Sequence, residues 1–64
     1  MNVNKLANQL GISEGDVFED AYESFYGTGQ LDHSRVDTDF GQYMKDGTCP
    51  PYVNHYLRNH FLES

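Results

Sequence analysis

The sequence predicts an all-α fold, a small bundle of three to four short helices forming a single domain over residues 1–64. Three observations carry that prediction. Apolar residues recur three and four positions apart in three separate segments. Each of those segments is bounded by residue types that start or stop helices. The chain is 38% hydrophobic, with five tyrosines and four phenylalanines. That is too much core material for a disordered chain, and the length allows only one domain.

The first helix is expected over Val3–Leu10, where Val3, Leu6, Ala7 and Leu10 fall at helical spacing. Asn2 is its candidate N-cap and Gly11 its C′ residue. Ser13 opens the second helix, and Asp16 three residues later gives a weaker form of the capping box. Val17, Phe18, Ala21, Tyr22 and Phe25 then make a continuous apolar stripe, ended by Gly27. Residues 27–37 lack a clear period and read as a loop pinned to the core by Leu31 and Val36. The 28–36 stretch is also where a strand would interrupt the helical reading. Asp37 or Thr38 is expected to cap a short third helix with Phe40, Tyr43 and Met44 inward, stopped near Gly47. Thr48-Cys49-Pro50-Pro51 is a helix-entry signal, because proline in the first turn loses no needed hydrogen bond. Tyr52, Val53, Tyr56, Leu57 and Phe61 line one face of the last helix, with Asn54, His55, Arg58 and Asn59 opposite.

Charge narrows the function. Ten acids against four bases give a formal net charge of −6, so the basic footprint of a nucleic-acid binder is missing. Anionic membranes are equally poor partners. The charge steers the chain instead toward basic patches on other proteins. A domain this short buries only about 60% of its unfolded surface, which leaves no interior for a deep substrate cavity. Met1-Asn2-Val3-Asn4-Lys5 leads into an amphipathic segment, not an apolar run. The one cysteine cannot form an internal disulfide. A cytoplasmic monomer is expected.

The acids are not scattered. At about 100° per residue, Asp16, Glu19, Asp20 and Glu23 fall within an arc of about 100° on the second helix, opposite its apolar stripe. They span about 10.5 Å of axis. One charge per ~2.6 Å is of the same order as the one per ~1.7 Å of duplex DNA. The first acids favour the helix dipole, but Glu23 lies near the other end, where the dipole gives it no reason to be. These four, with Tyr26 at the helix end, are the candidate partner-binding residues. Asp32, Asp37 and Asp39 could extend the field.

Chemistry is not indicated elsewhere. His55 and His60 diverge by about 140° on a helix and cannot share a metal. Cys49 precedes Pro50 with no basic cluster to activate it. No phosphate loop, catalytic carboxylate pair or zinc spacing is present. The expectation is a non-enzyme with no catalytic residues, no cofactor and no metal.

Two resemblances sharpen this. Leu6-Ala7-Asn8-Gln9-Leu10-Gly11-Ile12-Ser13-Glu14-Gly15-Asp16-Val17 resembles the helix-turn-helix family. Small Ala7 allows close approach, Gly11 makes the turn, Val17 packs the second helix on the first, and Leu6, Leu10 and Ile12 fill the space between. In that family the second helix contacts bases and phosphates; here it begins Glu14-Gly15-Asp16 and carries no lysine or arginine. A helix-turn-helix regulator, or a protein-interaction module derived from one, would need a basic surface from Lys5, Arg35, Lys45 and Arg58. By size, charge and surface pattern the whole chain resembles the small acidic phage-encoded inhibitors of the anti-CRISPR type, several of which act as DNA mimics. That group shares no motif, so no residue is carried over. The resemblance implies the cytoplasm of a bacterial host. As partner it implies a basic nucleic-acid-binding surface of a CRISPR effector complex, with no direct contact to nucleic acid.

Overall fold

The computed structural model describes residues 3–62 as four helices, with no strand among them. Helix α1 spans Val3–Leu10, α2 Glu14–Tyr26, α3 His33–Asp46 and α4 Pro51–Leu62. The all-α expectation holds, and the bounds of α1, α2 and α4 follow the caps and breakers in the sequence. Asn2, the candidate cap of α1, lies outside the described residues.

Helix α2 is the hub: α1, α3 and α4 each pack chiefly against it. Its apolar stripe makes this possible. Val17, Phe18 and Ala21 are fully buried and Tyr22 nearly so. Around them lie Val3, Leu6 and Ala7 of α1, Val36 of α3, and Tyr52, Val53 and Leu57 of α4. Phe18 is the centre of this core. Its ring sits edge-on to Phe40 at 5.2 Å and tilted against Tyr43 at 5.4 Å. Tyr22 meets Tyr52 edge-on at 5.2 Å near the start of α4, while Lys5 of α1 lies over the Phe61 ring near its far end. Helix α4 therefore runs back along α2 toward α1.

The corner between α1 and α2 is the turn the sequence indicates. Gly11 sits at φ 70°, a left-handed conformation that a side chain disfavours. The Ile12 amide donates back to the Ala7 carbonyl at 3.0 Å, closing the end of α1 in the manner of a Schellman motif. Ser13 then caps α2, its hydroxyl accepting from the Asp16 amide at 3.1 Å. Leu10 departs from expectation. It is exposed because the chain turns away at Gly11 before α2 can cover it, and Ala7 and Leu6 fill the corner instead.

The third helix is longer than the sequence reading gave. It starts at His33, and Asp32, not Asp37 or Thr38, is the cap, its carboxylate accepting from the Arg35 amide at 3.1 Å. Thr38 lies inside the helix with its hydroxyl donating to the Ser34 carbonyl. The loop is thus confined to residues 27–32. Val36 is buried, and Phe40 and Tyr43 pack against the core. Met44 does not point inward. It is 64% exposed, because α3 leans mainly on α2 and its buried face is a narrow strip through Val36, Phe40 and Tyr43. Phe25 is the remaining correction: it continues the α2 stripe but is exposed at the edge of the core, where its ring meets Tyr26 and, on α4, His55 without being covered by them.

Candidate protein-binding surface

The solvent-facing side of α2 follows from what its other sides do. With three helices packed around the apolar stripe, one arc is left, and Asp16, Glu19, Asp20 and Glu23 occupy it. Asp16 and Asp20 are exposed, and Glu19 and Glu23 half-buried along its flanks. The one ion pair involving these four among the described residues is Glu19 with His33 Nδ1 at 3.4 Å, and it is ionic only when the imidazole is protonated. Among the described residues no lysine or arginine forms an ion pair with these four carboxylates. The four carboxylates therefore form a ridge whose field is open to solvent.

The other acids divide by the work they do inside the fold. Glu14 accepts a hydrogen bond from the Tyr43 phenol at 2.9 Å, and Asp39 one from the Tyr52 phenol at 2.6 Å. Burial, the bond to Glu14 and its negative charge push the Tyr43 phenol up to about 12. Tyr52 is shifted in the same direction, first by burial and then by Asp39. Asp32 caps α3. Asp46 accepts from the Thr48 side of the next turn and from Gln42, contacts that hold its carboxyl below the usual range. Of the three acids that could extend the field, only Asp37 joins it. It faces Asp16 and Glu19 across a shallow groove of about 170 Å³ between α2 and α3, with Val36 and Phe40 at its base.

Tyr26, the fifth candidate, is half-exposed at the C-terminal end of α2. Its ring lies 4.5 Å from Tyr22, 4.9 Å from Phe25 and 6.1 Å from Tyr52, with the Arg35 guanidinium 5.8 Å over it. Phe25 in turn sits edge-on to His55 at 5.8 Å. Sequence reasoning missed Phe25 and His55 as surface neighbours of Tyr26. Periodicity gives the direction of a side chain but not whether a neighbouring helix extends far enough to cover it. Gly27 follows at φ 112°, a conformation open to glycine, and ends the helix just past the ring cluster.

Other reactive groups do not converge. Among the described residues, no group of three or more histidine, cysteine or acidic side chains could hold a metal ion. Cys49 is half-buried, and burial pushes its thiol up, away from the reactive thiolate. Among the described residues no helix is long and apolar enough to cross a membrane. Comparison with known protein families, with curated proteins and with solved structures finds no match for this chain.

Proposed function

We propose that this protein is a non-catalytic inhibitor that presents the α2 carboxylate ridge to a basic, nucleic-acid-binding surface of another protein and so competes with the nucleic acid. One observation carries the reading. An arc of α2 left uncovered by its neighbours holds four carboxylates, and among the described residues no lysine or arginine forms an ion pair with them. Four like charges at three- and four-residue spacing repel one another by about 0.2–0.5 kcal/mol per pair. A 64-residue domain has about 3–10 kcal/mol of total stability. Placing the acids together is a cost to the fold, and a basic partner turns that cost into binding energy.

The whole-chain resemblance to anti-CRISPR inhibitors makes a CRISPR effector complex in a bacterial cytoplasm the target of choice. A helix-turn-helix regulator is disfavoured. The helix that would enter the major groove offers acids to phosphates, and the four bases sit on α1, α3 and α4. The test is competition. Purified CRISPR effector complexes of several types are assayed for target-DNA binding with and without excess protein. At least one should lose DNA binding, and the Glu19→Gln/Glu23→Gln variant should inhibit less. If none loses it, the CRISPR target is wrong. If the protein itself shifts duplex DNA at about 0.15 M salt, in a manner that added salt abolishes, the regulator reading replaces this one.

A further inference from the structure

We infer that the shallow groove between α2 and α3 seats one long basic side chain of the partner, its alkyl stem on Phe40 and Val36 and its charged head among carboxylates of both helices. The inference rests on the protein-binding reading above and adds the place where the contact is made. Asp16 and Glu19 of α2 and Asp37 of α3 line a space of about 170 Å³ with Val36 and Phe40 at its base. Val36 and Phe40 stand four apart on α3 and so share one face. Val36 is buried, but Phe40 is only half-buried, which leaves apolar surface among the acids. Asp37 is an acid that the fold does not account for. Asp32 caps α3, Asp39 binds Tyr52 of α4, and Asp46 closes the turn to Thr48. Asp37 instead stands exposed in the second turn of α3, past the first turn in which the helix dipole favours an anion.

Charge and shape name the occupant. Carboxylates around an apolar base suit a cation on a hydrocarbon stem, the form in which lysine and arginine cover apolar surface while the charged head stays polar-solvated. A bare divalent cation fits less well, because among the described residues no group of three or more histidine, cysteine or acidic side chains could hold a metal ion. An anion is disfavoured by sign. The first-turn amides of α2 carry about half a positive charge, against three carboxylates. A second copy of this chain is a poor occupant, since it would bring another −6 charge to the same place. Gly15 keeps the wall of the groove low. A Cβ there would meet only the Ser13 hydroxyl, at 3.8 Å, so the fold accepts a side chain at this position and the groove would lose space to it. Asp20 and Glu23 lie further along the ridge and do not line the groove. They attract the same partner from a distance, and the groove holds it at close range.

The test titrates oligo-lysine and oligo-arginine peptides of equal length against the intact protein at low salt, followed by amide NMR. It is run at pH 8, above the range in which histidine ordinarily titrates, so that the His33 contact to Glu19 does not compete. The amides of Gly15, Val36 and Phe40 should shift together with those of Asp16 and Glu19, and the peptide bound more tightly identifies the head group. Gly15→Leu, which leaves every charge in place, should weaken binding roughly four-fold, the equivalent of about one methylene no longer buried. Asp37→Asn should weaken it about two- to five-fold, at least as much as Asp20→Asn. Melting temperatures should stay close to the wild type's for Asp37→Asn and at or above it for Gly15→Leu, where a helical glycine is replaced. Unchanged binding in either variant, with Glu19→Gln/Glu23→Gln still weakening it, leaves the ridge reading standing and refutes this inference alone. Shifts confined to the ridge and absent from Val36 and Phe40 refute it as well. Binding to neither peptide removes both readings. Magnesium or calcium alone shifting the same amides, in a manner that Asp37→Asn abolishes, would assign the groove to a metal ion and overturn the inference.

Discussion

Replacing Glu19 and Glu23 with glutamine should make the protein more stable and a worse binder. Four like-charge pairs run along the α2 ridge: Asp16–Glu19 and Asp20–Glu23 three residues apart, Asp16–Asp20 and Glu19–Glu23 four apart. The double substitution removes every pair but Asp16–Asp20. At about 0.2–0.5 kcal/mol each, the three lost repulsions return about 0.6–1.5 kcal/mol. Glu23 also lies in the last turn of α2, where the helix dipole disfavours an anion by roughly 0.3 kcal/mol or more. Against this stands the Glu19–His33 contact, with side chains 36% and 72% exposed; a pair so open to solvent is worth about 0–1 kcal/mol. The balance is a gain of about 1 kcal/mol at low salt, or about 4–8 °C in Tm for a domain of this size. Far-UV circular dichroism melts at low and high salt measure it, and the gain should shrink as salt screens the charges. Partner affinity should fall over the same range, mainly through a slower on-rate. Misfolding cannot raise the melting point while weakening binding. A melting temperature that stays put or drops at low salt refutes the repulsion argument. Unchanged low-salt affinity in a more stable variant rules the ridge out as the site.

Phe18→Ala removes the ring at the centre of the core, between Phe40 and Tyr43, and should cost about 3–5 kcal/mol. That is comparable with the whole stability of the domain, so urea titration should find the variant largely unfolded without denaturant. Stability should also fall in alkali, because the folded protein holds the Tyr43 proton up to about 12 whereas the ordinary phenol releases it near 10. Between those values the unfolded chain binds fewer protons than the folded one, so the contribution is complete below pH 10 and lost as pH rises toward 12. Urea midpoints measured across that interval should decline less steeply in Tyr43→Phe, and an equally steep decline would count against the Tyr43 bond to Glu14 as a source.

How far the sequence could be read depended on whether a feature was local. Caps are local, and Ser13, Gly11, Gly27 and Pro51 placed the ends of three helices directly. Helix α3 was harder because its first turn, His33-Ser34-Arg35-Val36, contains only one apolar residue and few strong helix formers. A usable signal was still present. Val36, Phe40 and Tyr43 stand four and three apart, and Asp32 precedes them at capping distance. Counting Val36 with the helix, and not with the loop, recovers the observed start. Met44, Phe25 and Leu10 could not be placed by period alone, since their exposure depends on where a neighbouring helix stops. The ridge was legible because all four acids lie on one helix. The pairing of Glu14 with Tyr43 and Asp39 with Tyr52 was not, because those partners are 29 and 13 residues apart and meet only after the helices pack. That pairing separates acids that serve the fold from acids that face solvent.

The central position of α2 has a consequence for how the molecule opens. Helix α3 is held chiefly by Val36, Phe40 and Tyr43 against α2, with the Asp39–Tyr52 bond tying it to α4. Helices α1 and α4 meet α2 through more fully buried side chains. Excursions from the native state should therefore begin with α3 lifting away as a unit, while α1, α2 and α4 stay assembled. Amide hydrogens of α3 would exchange with solvent first, and those around Val17–Tyr22 last, only on global unfolding. Because Asp16, Glu19, Asp20 and Glu23 stand on the slowest-exchanging helix, their spacing survives such an excursion. Asp37, on α3, moves away with it. The ridge is thus carried by the part of the chain that is last to let go.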